Sequence, residues 1–265
     1  MPRRCLEVTG AVAIWIALGL IFHLTPNSYL LLGIPLTALF QWAVRREPLR
    51  ALWVRDAVPF RLGAFGWLMA AVLAAYPCWR LASNLSEHAY GVQTAWYVAA
   101  VAGAFPAAYA LRNFHRTTAR DLWLCLATAG LLGIFFMLLS AVIMRTAHQA
   151  IATRLATGIT SLLLYVPVTF VLEEVSFRGA FDAHMSPPGD PQPYLTAFLV
   201  SALWGLWHIP VAIGQKPLPV LIVGLVGVHC AIGVPLSLCW RRSGNLLVTA
   251  STHALIDAVR NTLLV

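Results

Sequence analysis

The residues of this chain that could do chemistry are Glu173, Glu174 and Arg178, then His208, then His253 with Asp257. The first three lie in TSLLLYVPVTFVLEEVSFRGAF, a run that is otherwise apolar. A charged side chain at the centre of a bilayer costs at least ~2.5–3.5 kcal/mol on insertion scales, so charges this dense need a reason. Glu174 and Arg178 stand i and i+4 with the acid first, the favourable order for an ion pair on one helical face. Glu173 is turned by roughly 100° from Glu174 on an α-helix. A buried ion pair therefore accounts for Glu174 and Arg178 and leaves Glu173 free for chemistry. His208 closes AFLVSALWGLWHIP one turn after Trp204, and alone it would read as a satisfied residue at a span end. His253 and Asp257, again i and i+4, fit a metal half-site, a mutual hydrogen bond or a catalytic pair.

These groups need elements to hold them, and the composition says which. Of 265 residues, 60% are hydrophobic and 11% charged, with a mean hydropathy of +0.76. A soluble domain carries about a quarter charged residues. The expected fold is all-α: a polytopic transmembrane helical bundle of eight or nine spans, with no sheet. Apolar runs of spanning length fall at about 8–24, 28–44, 63–82, 92–111, 121–144, 157–181, 194–213, 217–240 and 245–263. The second is short and broken by Pro35. The N-terminal run follows Arg3 and Arg4 and lacks a small-x-small cleavage site, so it is expected to remain as the first span. With that end inside, twelve of the 18 basic residues face the cytoplasm, among them Arg45, Arg46, Arg50, Arg55 and Arg61. Arg80, Arg145, Arg154 and Lys216 fall on the other side, as the positive-inside rule requires. The segment 45–62 is expected to lie on the membrane surface as a short amphipathic piece.

The +8 net charge therefore reports orientation, and no nucleic-acid partner is expected. The five cysteines are scattered, with no C-x-x-C pair, and indicate neither disulfides nor a zinc site. His229 and Cys230 are read as packing. His115, His148, His184, Asp182 and Asp190 are read as solvated loop residues, and His23 and His88 as residues near span ends.

Together the three groups form a pattern that packing alone does not explain: acid-acid-x3-Arg, aromatic-x3-His and His-x3-Asp on three separate apolar helices, in that order. It resembles the CAAX protease and bacteriocin-processing (Abi) family of intramembrane endopeptidases, which includes the type II CAAX prenyl endopeptidases. The family's motifs run E-E-x3-R, F-x3-H and H-x3-N. Here they read Glu173-Glu174-x3-Arg178, Trp204-x3-His208 and His253-x3-Asp257. The likeness covers roughly 155–265, so residues 151–265 are expected to form the catalytic core and 1–150 a set of helices without recognised motifs. Trp204 in place of Phe keeps an aromatic wall against the substrate. Asp257 in place of Asn removes an amide donor, which leaves it to orient His253 or, if neutral, to donate.

The resemblance implies a peptidase in which Glu173 and His208 activate a water and His253, positioned by Asp257, stabilises the oxyanion. Glu174 and Arg178 would lock the helix. It implies no metal and no cofactor, and a membrane-embedded or lipidated protein or peptide as substrate. A metal held by Glu173, His208 and His253 is the second mechanism on ligand chemistry. H-E-x-x-H is absent, and Asp257 has no second intramembrane aspartate to make a dyad. Ser251 and His253 stand too close on one helix to meet. Rival functions are a proton-coupled transporter, against which no repeated halves are visible, and a non-catalytic immunity or scaffold protein on the same fold. Arginine-heavy usage points to a bacterial inner membrane. One geometric expectation remains. His208 lies about 21 Å along a run that starts at 194, against about 12 Å for Glu173, so the helix carrying His208 is expected to begin later than 194, as Pro187, Pro188, Pro191 and Pro193 would permit, with a tilt as the alternative.

Overall fold

The computed structural model describes residues 2–264 except 57, 113, 145–150 and 188. Arg145, His148 and Pro188 lie outside the described residues. The chain is all-helical. Its main helices are α1 (Pro2–Ile21), α2 (Pro26–Leu39), α3 (Ala64–Ser86), α4 (Val92–Leu111), α5 (Arg116–Met144), α6 (Ile151–Val168), α7 (Pro193–Trp207), α8 (Leu218–Ser243) and α9 (Leu246–Leu264). No strand occurs among the described residues; Val54 and Asn245 form one isolated bridge pair.

Five of these helices, α1, α3, α4, α5 and α8, are long and apolar enough to cross a membrane, and α6 and α7 are shorter apolar helices. This is fewer than the nine runs read from hydropathy. Large apolar side chains such as Ile14, Leu68, Phe135, Val142 and Val223 point outward. Exposed at this density they suit lipid and not water. The helices that carry the expected site residues are the shorter or more polar ones. α9 packs against α4, α5, α6 and α8 and is buried along most of its length. Four of the five long apolar helices turn most of their surface outward and α4 is largely buried, while polar chemistry is held inside.

The segment after α6 departs most from expectation. One helix over 157–181 was expected. The chain instead leaves the α-helix after Pro167 and Val168, turns through Thr169–Leu172, and resumes as a π-helical stretch over Val175–Asp182 that runs on to Met185. Non-helical backbone at this depth must find its hydrogen bonds within the protein. Part of that need is met by Trp53, whose indole N–H donates to the Phe170 carbonyl at 2.7 Å. The Trp53 carbonyl in turn accepts from Leu246 N at 2.8 Å, at the start of α9. One residue therefore ties the break before Glu173 to the helix carrying His253.

The segment 45–62, exposed over much of its length, also packs inward. Leu52 and Val54 are buried, and Arg45 Nη1 donates to the Gly179 carbonyl at 2.7 Å. Gly179 has to be glycine for this contact, because a Cβ there would overlap the Leu52 carbonyl. The polar connection also serves as a brace for the stretch after Pro167.

Two further expectations are overturned. Asp182 is fully buried and paired with Arg241 at 2.6 Å, and His184 is paired with Glu7 at 2.7 Å; neither is a solvated loop residue. α7 begins at Pro193, so the late start does not occur. The depth mismatch shrinks from the other side, since the helical stretch beyond Glu173 continues to Met185.

Candidate active site

The break at 169–172 and the π-helical stretch that follows bring Glu173 and Glu174 toward different partners. Glu173 Oε2 accepts a hydrogen bond from Trp204 Nε1 at 3.1 Å and lies 3.9 Å from His208 Nε2. His208 sits at the C-terminal cap of α7, where its Nδ1 is 2.8 Å from the Trp204 carbonyl. A carbonyl only accepts, so Nδ1 carries the proton, and in the neutral ring Nε2 is the acceptor facing Glu173. The helix end itself is held by Tyr29, whose hydroxyl donates to the Trp207 carbonyl at 2.9 Å.

Glu174 is fully buried on the other side. Its Oε1 lies 3.1 Å from His253 Nδ1, and its Oε2 lies 3.8 Å from Arg178 Nε. The Glu174–Arg178 pair expected from spacing is therefore present, but the closer partner of Glu174 is His253. Arg178 is also fully buried, donates to Ser237 Oγ at 3.3 Å, and stands 5.0 Å over the Trp204 ring. Among the described residues Arg178 Nη2 finds no acceptor.

His253 has a carboxylate at each ring nitrogen. Asp257 Oδ2 is 3.6 Å from Nε2, and Asp257 Oδ1 is 2.9 Å from Arg260 Nη1. Arg260 also donates to the Tyr165 hydroxyl at 3.2 Å, which ties α9 to α6.

All the expected site residues meet around one small cavity of about 200 Å³, with Glu173, Trp204, His208, His253, Asp257 and Arg260 in its wall. Glu174 and Arg178 stand behind the wall. At about 30 Å³ per water, the space suits a peptide group and a few waters. Trp204 does more than supply an aromatic wall, since its N–H bond to Glu173 is one that a phenylalanine could not make.

His229 is the residue that sequence reasoning missed. Read as packing, it lies in the cavity wall, with its ring centroid 4.1 Å from that of His208 and 4.7 Å from that of Trp204. Its Nδ1 is 2.6 Å from the Leu225 carbonyl. No motif on α8 announces it; only the packing of α8 along α7 brings it to the site. Among the described residues no three His, Cys, Asp or Glu side chains are grouped as they would be to hold a metal ion, so Glu173, His208 and His253 are not gathered as a ligand set.

No curated protein and no solved structure matches the chain. Residues 154–259, the stretch that holds Glu173, Trp204, His208, His253 and Asp257, match the family described as type II CAAX prenyl endopeptidase Rce1-like, the protease family that the three motifs resemble.

Proposed function

We propose that this protein is an intramembrane endopeptidase that hydrolyses a peptide bond of a membrane-embedded or lipidated protein or peptide, with Glu173 as the general base. The observation that carries the reading is the 3.9 Å separation of Glu173 Oε2 and His208 Nε2 in the wall of one cavity. It is too long for a hydrogen bond and suits a bridging water. Such a water donates one proton toward each acceptor and keeps its lone pairs for a carbonyl carbon. Glu173 takes the proton as the oxygen adds to the carbonyl, and the tetrahedral oxyanion accepts a hydrogen bond from His253. Collapse breaks the C–N bond, and the proton held by Glu173 passes to the leaving amine. Asp257 orients His253, while Glu174 and Arg178 fix the π-helical stretch. The aromatic wall of Trp204 lies against the substrate. The charge distribution of the loops supports an N-terminus on the cytoplasmic side of a bacterial inner membrane, with the shorter helices α2, α6, α7 and α9 completing the crossings.

The experiment that tests this activity is mass spectrometry of membrane-protein termini in cells with and without the chain. New termini that appear only when the wild-type chain is present support a protease. Identical termini in both cell populations count against it. Asp257→Asn is expected to keep activity within about tenfold, or 1.4 kcal/mol in the barrier, because the amide oxygen can still accept from Arg260 and asparagine is the residue of the family's H-x3-N motif. Complete loss in a steady-state cleavage assay would mean that the negative charge facing Arg260 is itself required.

A further inference from the structure

A cavity away from the active site is lined by four arginines. It has a volume of about 750 Å³ and is walled by Arg4 of α1 and by Arg45, Arg50 and Arg55 of the connection after α2, against only two carboxylates, Glu47 and Asp56. Asp56 is already committed to Arg112 at 2.7 Å. Arg45 and Arg50 are held by backbone carbonyls, those of Gly179 and Asp56, so their positive charge is not neutralised there. Arg4 is exposed. Arg55 Nη2 is buried and finds no acceptor among the described residues. Burial holds Arg55 below the usual arginine range, with Asp182 offsetting part of that effect and Arg241 adding to it. The cavity thus gathers four cations against two carboxylates, three of the four half-buried.

A second feature adjoins it. Between α1 and α2 runs an apolar groove of about 420 Å³, lined among others by Leu6, Gly10, Ile14, Leu36, Leu39 and Val44. Val44 lines both spaces. The groove lies along the sides of two helices and the basic cavity at their polar ends, beside Arg4 in the first turn of α1. Trp42, 76% exposed, stands next to the junction, as aromatic residues do at a membrane interface. An apolar slot that opens at its polar end into an arginine-lined cavity has the shape and charge of one kind of molecule. Acyl chain would fill the slot, and a phosphate would take the unpaired guanidinium hydrogens.

We propose that the basic cavity and the α1–α2 groove together bind one anionic phospholipid, with its phosphate among Arg4, Arg45, Arg50 and Arg55 and an acyl chain against Gly10 and Ile14. The site is separate from the Glu173 cavity and does not depend on the chain being a protease. Bound there, the lipid would neutralise the connection 45–56, which braces the π-helical stretch through Gly179.

Two variants separate headgroup from chain. Arg4→Glu changes an exposed charge. Gly10→Phe fills the groove, and a Cβ at Gly10 meets open space, so the helix tolerates it. The full-length protein in neutral detergent micelles is titrated with phosphatidylglycerol, with phosphatidylcholine or with glycerol 1-phosphate, and bound ligand is counted by native mass spectrometry. The wild type is expected to hold one phosphatidylglycerol at least tenfold more tightly than phosphatidylcholine. Each variant should weaken that binding at least fivefold while keeping the wild-type melting temperature. Equal retention of the two lipids overturns the proposal. So does wild-type binding of phosphatidylglycerol by either variant. Glycerol 1-phosphate bound as tightly as the lipid, and unaffected by Gly10→Phe, would show a soluble-anion site and also overturn it. If either variant melts early, Leu39→Trp in the same groove and Arg50→Gln in the same cavity replace it under the same criteria.

Discussion

Glu173→Gln is expected to abolish peptide cleavage while leaving the protein folded. Glutamine keeps the size of the side chain and a carbonyl oxygen that can still accept from Trp204 Nε1, the bond that holds Glu173 at 3.1 Å. What it loses is the ability to take a proton from water at the 3.9 Å gap to His208. General-base catalysis contributes typically 10²–10⁴-fold, and the loss should fall in kcat with little change in KM, since the residue acts on water and not on substrate. Thermal unfolding and the retention volume in gel filtration should match the wild type. Cleavage that persists in this variant would end the mechanism proposed here. Normal folding with no cleavage in either protein would favour the scaffold or transporter readings instead.

Arg178→Leu is expected to have the largest effect on stability. Arg178 and Glu174 are both fully buried and lie 3.8 Å apart. Removing the cation leaves the Glu174 carboxylate with His253 as its remaining close partner, and breaking a buried pair on one side costs about 3–5 kcal/mol. The pair need not stabilise the protein overall, because taking two charges out of solvent costs as much as their attraction returns. The double variant Glu174→Gln with Arg178→Leu should therefore melt well above Arg178→Leu alone. The positive coupling in that double-mutant cycle, read by thermal unfolding in micelles, checks the idea. Equal melting of the wild type and Arg178→Leu would show that Ser237 and the Trp204 ring hold this site without the charge.

Both variants turn on a division of labour between two adjacent glutamates that the sequence made only partly legible. Spacing from Arg178 suggested that Glu174 was the structural partner, and the family resemblance implied that Glu173 was the base. That reading assumed an α-helix through 181. Glu174 does meet Arg178, yet it lies closer to His253, because the chain breaks at 169–172 and resumes as a wider π-helix. Wider helical turns of this kind often occur at functional sites. Nothing in VPVTFVLEEV beyond Pro167 announces the break. Its acceptor is satisfied by Trp53, more than a hundred residues away, and a contact of that range has no local signature.

The same reason explains the other departures. Hydropathy marked nine apolar runs, but it counts residues and not surroundings. α6, α7 and α9 are shorter or more polar than the five long spans, and α9 is buried along most of its length. Asp182 and His184 looked solvated because their partners, Arg241 and Glu7, lie far away in the chain. His229 had no motif and reaches the cavity only through the packing of α8 on α7.

By itself the sequence determined the all-helical class, because water cannot solvate a chain this apolar and only helices or closed barrels satisfy a backbone in lipid. It also determined which helices carry the polar groups, because charged residues are too costly in apolar helices to be incidental. The tertiary structure alone decided which glutamate faces which histidine, that His229 joins them, and that the arginines after α2 surround a cavity. Those outcomes depend on long-range carbonyl and guanidinium contacts that fix the rotation and termination of each helix, and helical periodicity carries no information about them.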